Sequence, residues 1–130
     1  MVLGSKNRIS PKLASIIEKA EKLTQDCDGI TVGFCFNYGG EVEIADAATI
    51  AAEEGEITPE TIRKHLYHPE LPDIDMVVRT SGEERISGFM LWRASYAEFM
   101  FIKKYFPEMK EADITEIVEE FESRNRRFGK

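Results

Sequence analysis

Apolar residues along the chain come in short runs that alternate with amphipathic stretches, a pattern that predicts an α/β layer architecture with a mostly parallel sheet flanked by helices. Met1-Val2-Leu3-Gly4 reads as the last residues of a strand. Ser10 then stands as an N-cap before Pro11 at the first helical position. Leu13, Ile16, Ile17, Ala20 and Leu23 follow at helical spacing, which predicts a helix to about Thr24. Asp26-Cys27-Asp28-Gly29 forms a turn, and Ile30 to Phe36 is nearly all apolar with a β-branched start. Such a run predicts a parallel strand covered on both faces.

Asn37-Tyr38-Gly39-Gly40 breaks that strand and opens a second helix, with Glu41 and Glu43 in its first turn where carboxylates suit the dipole. Ala45, Ala48, Ile50 and Ala51 continue it until Gly55. Thr58-Pro59-Glu60 starts a shorter helix to about Leu66, after which His68-Pro69 and Leu71-Pro72 force an irregular connection. Ile74 to Arg79 predicts a second buried strand. A Gly/Ser loop, an apolar stretch from Phe89 to Tyr96 and a strand from Glu98 to Ile102 come next. The last helix runs from Glu111 to about Arg126, with Ile114, Ile117, Val118 and Phe121 on one face.

Composition narrows the function classes. The 130 residues are expected to form a single domain, with 42% hydrophobic residues available for a core. Net charge is −7, from 24 acidic and 17 basic residues, which argues against nucleic-acid binding because that affinity comes from a basic face. No apolar run reaches the ~20 residues that span a bilayer, and the apolar start is too short for a signal peptide. Cys27 and Cys35 have neither metal nor redox spacing, and Cys35, inside an apolar run, is expected as a buried thiol. Together these features predict a cytoplasmic protein.

The candidate chemistry lies between Asp75 and Glu98. A buried strand brings Arg79 to its carboxyl end, where open α/β sheets bind ligands. The following loop adds Arg85 and the hydroxyls of Thr80, Ser81 and Ser87 around small residues. Two guanidinium groups and several hydroxyls suit a diphosphate, and Glu83 and Glu98 are candidates for holding Mg²⁺. The same residue types also allow a plainer reading, with Arg79 and Arg85 paired to Glu83, Glu84 or Asp75 on a surface loop. His65 and His68 lack a third ligand nearby and read as helix-end residues. Glu108 to Glu122 reads as a solvated helix face, and the aromatics from Trp92 to Phe106 read as core and dimer interface.

The segment Arg79-Thr80-Ser81-Gly82-Glu83-Glu84-Arg85-Ile86-Ser87, followed by Phe89-Met90-Leu91-Trp92 and then Ser95-Tyr96-Ala97-Glu98, closely resembles the signature of the cis-prenyltransferases, the family of undecaprenyl diphosphate synthase. Asn37-Tyr38-Gly39-Gly40 and Arg124-Asn125-Arg126-Arg127-Phe128-Gly129 are further matches in the same order. The resemblance implies that Arg79, Arg85 and Ser87 bind the diphosphate of isopentenyl diphosphate. It implies that Glu98 belongs to a Mg²⁺ site, and that Arg127 and Gly129 reach a partner's diphosphate across a dimer interface. The implied reaction joins isopentenyl diphosphate to an allylic diphosphate to make a polyprenyl diphosphate, with loose membrane association through the lipid product.

Only the C-terminal half of those enzymes is matched. The family's Asp-Gly-Asn-x-Arg phosphate loop has no counterpart, because Asp28-Gly29 runs straight into Ile30. The expectation is therefore a chain incomplete as a catalyst, acting as a homodimer or heterodimer or with a chain that carries the other half. The alternative is a non-catalytic partner subunit of a heteromeric enzyme. A stand-alone anion-binding module is a third reading, set back by its uncovered sheet edge. Three positions depart from the family pattern. Glu41 stands where a basic residue is common, Gly88 where asparagine usually follows the serine, and Arg93 where glutamine is typical. These departures imply altered contacts at the helix start, a looser loop around Ser87, and either added cationic character or an Arg93–Glu98 pair.

Overall fold

The computed structural model describes residues 1–7 and 9–124. The chain divides into two compact units, Met1–Leu71 and Pro72–Lys130. Both are α/β, with short parallel strands and flanking helices.

In the first unit, β1 (Val2–Leu3) pairs in parallel with β2 (Phe34–Cys35), Val2 opposite Phe34 and Leu3 opposite Cys35. Backbone bonds extend the ladder: the Met1 amino group donates to Val32 O (3.0 Å), Phe34 N to Met1 O (3.0 Å) and Phe36 N to Leu3 O (2.9 Å). Gly4 (φ +148°) turns the chain out of β1 so close to β2 that a Cβ there would lie 1.9 Å from Phe36 O. Helix α1 (Pro11–Thr24) begins as expected, its Ser10 hydroxyl accepting from Leu13 N (3.3 Å) with Pro11 in the first turn. Helices α2 (Gly40–Glu53) and α3 (Pro59–His65) pack together, and Ala47 and Ala51, one turn apart on α2, are fully buried. Thr58 caps α3 through a reciprocal pair of bonds with Thr61.

The expectation of a strand over Ile30–Phe36 covered on both faces is corrected. Only Phe34–Cys35 is strand, and Ile30 (91% exposed), Val32, Phe34 and Phe36 all face outward. Cys35 is likewise exposed rather than buried, and neither cysteine is in a disulfide. The physical reason is that β2 has a strand neighbour only in β1 among the described residues, and a pair of two-residue strands is too small to bury the whole run.

In the second unit, β3 (Met76–Arg79) pairs in parallel with β4 (Glu98–Phe101), from Met76 opposite Glu98 to Arg79 opposite Phe101. Val77, Met90 and Ala94 are buried, whereas Val78 on the other face of β3 is not, so this strand is covered on one face. Phe89 to Tyr96 is neither helix nor strand but a succession of turns. Helix α4 (Glu111–Ser123) ends at Arg124, earlier than expected from the pattern. Its Ile114 and Val118 stay exposed. No helix among the described residues is long and apolar enough to cross a membrane.

Candidate functional site

Arg79 is the last residue of β3, held over the buried Val77 two positions earlier. Strand pairing continues past it: Ile102 N donates to Arg79 O (2.7 Å), Gly82 N to Ile102 O (2.9 Å) and Ser81 N to Lys104 O (2.8 Å). The chain then turns through left-handed backbone at Ser81 (φ +68°), Gly82 (+71°), Ser87 (+48°), Gly88 (+76°) and Met90 (+49°). Three of these five carry side chains, an uncommon conformation that tertiary contacts must hold. Part of that hold is visible. Arg79 Nη1 donates to Arg85 O (2.5 Å) and to Ser87 Oγ (3.2 Å), so the loop curls back around the guanidinium.

The two arginines thus separate. Arg79 makes no ion pair among the described residues and keeps its charge in the loop, while Arg85 pairs with the Glu83 carboxylate at an exposed position. The plainer reading therefore holds for Arg85 and not for Arg79. An exposed pair of this kind is readily exchanged for another anion, because it contributes little by itself. Arg79, Arg85 and Ser87 share one loop around one strand end, two guanidinium groups and a hydroxyl that can donate to a phosphate group.

Glu98 opens β4 and accepts from Arg124 Nη1 through Oε2 (3.2 Å). The same guanidinium donates to Phe99 O (2.9 Å) and, through Nε, to Glu120 Oε1 (3.1 Å). The Glu120 bond first, and the Glu98 bond after it, hold the Arg124 pKa above its ordinary value. Sequence reasoning missed Arg124, whose partner Glu98 lies 26 residues away; only Glu120, four residues back, was a local signal. Of the two alternatives for Arg93, a pair with Glu98 is not formed, since Glu98 pairs with Arg124, and Arg93 is buried at 2% exposure. Arg127 and Gly129 lie outside the described residues. No group of three or more His, Cys, Asp or Glu gathers as a metal site among the described residues. As a donor set, Glu98 fits Mg²⁺ only as one carboxylate, the usual arrangement when phosphate oxygens and water complete the sphere.

The first unit carries a second polar cluster that sequence reasoning also missed. Asn37 (φ +51°) donates through Nδ2 to Ser5 O (2.8 Å) and Asn7 O (2.9 Å), clamping the segment after β1. Glu43, 1% exposed, accepts from Tyr38 Oη (2.5 Å) and from Tyr67 N (3.0 Å), and Tyr67 Oη donates to Asp46 (2.5 Å). Burial first, then the bond to Asp46, pushes the Tyr67 hydroxyl up to about 12. His65, the last residue of α3, contacts Glu54 (3.0 Å), while His68 lies past the helix in left-handed backbone (φ +53°) and contacts Glu70 (2.9 Å). In the second unit, a hydrogen bond from Lys104 holds Asp113 below the usual carboxylate range and raises Lys104 in turn.

Two departures from the expected pattern acquire a structural account. Gly88 adopts left-handed backbone with open space around its Cβ direction, and asparagine is another residue at ease there. Glu41 is an exposed acid in the first turn of α2, where it complements the dipole.

A strand-end arginine folds into a Gly/Ser loop on parallel α/β units, a class of fold that binds ligands at its strand ends. The family it belongs to follows from comparison with known proteins. Residues 1–129 match the family model described as "Putative undecaprenyl diphosphate synthase", and the chain belongs to that family of cis-prenyltransferases. It is 42% identical over 136 residues to the decaprenyl diphosphate synthase of Mycolicibacterium smegmatis, covering 98% of this chain and 46% of that protein. The crystal structure of a "probable undecaprenyl diphosphate synthase" from Campylobacter jejuni superposes with a TM-score of 0.92 at 33% identity, covering 100% of this chain and 62% of the other. Lavandulyl diphosphate synthase from Lavandula x intermedia, solved with dimethylallyl diphosphate, gives 0.89 at 32% identity over 99% and 59% of the two chains. The chain thus spans less than half of the mycobacterial relative and about three-fifths of the solved structures.

Proposed function

We propose that this chain is the isopentenyl-diphosphate-binding part of a cis-prenyltransferase, acting in the condensation of isopentenyl diphosphate with an allylic diphosphate to extend a polyprenyl diphosphate. The observation that carries this reading is the Arg79–Ser87 contact of 3.2 Å at the carboxyl end of β3. There a guanidinium and a hydroxyl already share one small loop. Arg79 holds the homoallylic diphosphate, Ser87 donates to one of its oxygens, and Arg85 exchanges Glu83 for the phosphate. Glu98 supplies one carboxylate oxygen to Mg²⁺. A bound ion would supply charge that offsets the diphosphate leaving group when the allylic carbon–oxygen bond breaks, the new carbon–carbon bond forming with loss of a proton from the isopentenyl unit. Arg127 and Gly129 act on the diphosphate of a partner chain in a dimer.

The catalyst is completed by a further part of the enzyme that carries an aspartate phosphate loop. The outward-facing Ile30, Val32, Phe34 and Phe36 support this, since such a run belongs under a covering layer. A second reading, a non-catalytic partner subunit, is favoured by the pairing of Glu98 with Arg124, which occupies one oxygen of the proposed metal ligand.

Calorimetric titration with isopentenyl diphosphate, with and without Mg²⁺, separates the two. Saturable binding that is lost in Arg79→Ala supports the substrate-binding reading. Absence of binding at millimolar ligand leaves the partner-subunit reading in its place.

A further inference from the structure

Arg124 stands where helix α4 ends, and its guanidinium joins two elements of the second unit. Nε reaches back one turn to Glu120, while Nη1 is shared between the side chain of Glu98 and the carbonyl of Phe99 at the start of β4. Both members of the Glu98 pair are half-buried, 26% and 32% exposed, in contrast to the Glu83–Arg85 pair at 40% and 65%. A less solvated pair is worth more, and a planar guanidinium that meets three acceptors at once is more restrictive than a point charge. Among the described residues Glu98 Oε1 has no equivalent partner, so Arg124 engages one oxygen of the carboxylate and leaves the other to accept. The Arg124 amide also closes the last turn of the helix on Phe121 O (3.1 Å).

We propose that Arg124 is a positioning residue that fixes the Glu98 carboxylate and the end of α4 to each other through one shared guanidinium. The orientation of Glu98 toward a cation and the anchorage of the helix end at Arg124 then depend on the same contact. By linkage, a ligand that draws on Glu98 alters the anchorage of the helix end, and loss of that anchorage alters what Glu98 offers a ligand. The part that concerns the cation rests on the reading of Glu98 given above; the anchorage does not.

Hydrogen exchange of the full chain tests the anchorage without any ligand. The amides of residues 121–124 are expected to exchange about three- to tenfold faster in Glu98→Leu and in Arg124→Gln than in the parent. The double variant is expected to be no faster than either single one, because both changes remove the same contact. Arg124→Lys restores part of the protection, since an ammonium keeps the charge but cannot span all three acceptors. Unchanged exchange at 121–124 in a folded Glu98→Leu chain overturns the proposal, and this variant, similar in size but without an acceptor, decides the matter even if Arg124→Gln fails to fold. Calorimetry with isopentenyl diphosphate supplies the second readout. Arg124→Gln is expected to reduce the gain in affinity conferred by Mg²⁺ and to leave the Mg²⁺-free affinity unchanged, whereas equal losses in both conditions overturn the positioning of Glu98. A parent chain that binds no isopentenyl diphosphate at all refutes the substrate-binding reading instead, and the exchange result still decides the role of Arg124.

Discussion

Arg79 Nη1 and Ser87 Oγ lie 3.2 Å apart across eight residues of sequence, and the same nitrogen caps the carbonyl of Arg85. The guanidinium is therefore at once a fastener for its own loop and the strongest positive charge that the loop encloses. Replacing it removes both properties. Arg79→Ala is expected to weaken isopentenyl diphosphate binding by about tenfold or more, the scale of a lost charge-assisted bond. The stability loss should stay below about 1.5 kcal/mol because the loop is solvent-facing. Calorimetry and thermal melts of the same preparation separate the two effects.

The left-handed backbone at Gly88 makes a sharper test of the loop than deletion of its charges. Gly88→Ala, at φ +76°, is expected to cost about 1–2 kcal/mol. Gly88→Asn should remain within about 0.5 kcal/mol of the parent, because asparagine tolerates this region. Urea denaturation of the three proteins ranks them, and equal losses for Ala and Asn would refute a backbone origin.

Glu43 is nearly inaccessible and accepts from both Tyr38 Oη and Tyr67 N. Glu43→Ala is expected to destabilise the first unit by about 2–4 kcal/mol, since two buried bonds to a carboxylate are lost together. Glu43→Gln, which keeps the volume and one acceptor, should lose less. Denaturant midpoints, with tryptic susceptibility in the first unit, give the comparison.

Tyr67 predicts a pH dependence whose sign follows from the direction of its shift. Its folded value of about 12 lies above the ordinary 10.0, so the folded state favours the protonated phenol. The associated stabilisation is fully present below pH 10 and is lost as pH rises through about 12. Tyr67→Phe should show a shallower decline in stability over that alkaline window. Parallel slopes for parent and variant in denaturation experiments would rule the linkage out.

Local signals in the sequence were legible where the structure is local. The Ser10 and Thr58 caps, the prolines at Pro11 and Pro59 and the strand ends at Arg79 and Glu98 follow from residue types at short spacing. Coverage of a strand is a different property. The run at Ile30–Phe36 describes what that segment suits, while its exposure depends on which elements lie over it. The turns from Phe89 to Tyr96 escaped notice for a related reason: Ser81, Ser87 and Met90 adopt positive φ without a sequence signal, whereas Gly82 and Gly88 advertise theirs. At the candidate site, residue identities pointed to Arg79, Arg85 and Ser87 as one group. The partition of Arg85 to Glu83 and of Glu98 to Arg124 is a matter of distance in space, which periodicity does not carry.

The pairing of β3 with β4 runs past the strand itself, through Ser81 to Lys104 and Gly82 to Ile102. Arg79 therefore sits on a riveted base, and any rearrangement of the loop must pivot beyond Gly82. Among the described residues, the segment from Glu83 to Gly88 has no backbone pairing of that kind before the turns that follow. An arriving anion would meet an Arg79 side chain rooted in paired backbone, with the Ser87 hydroxyl already beside its guanidinium.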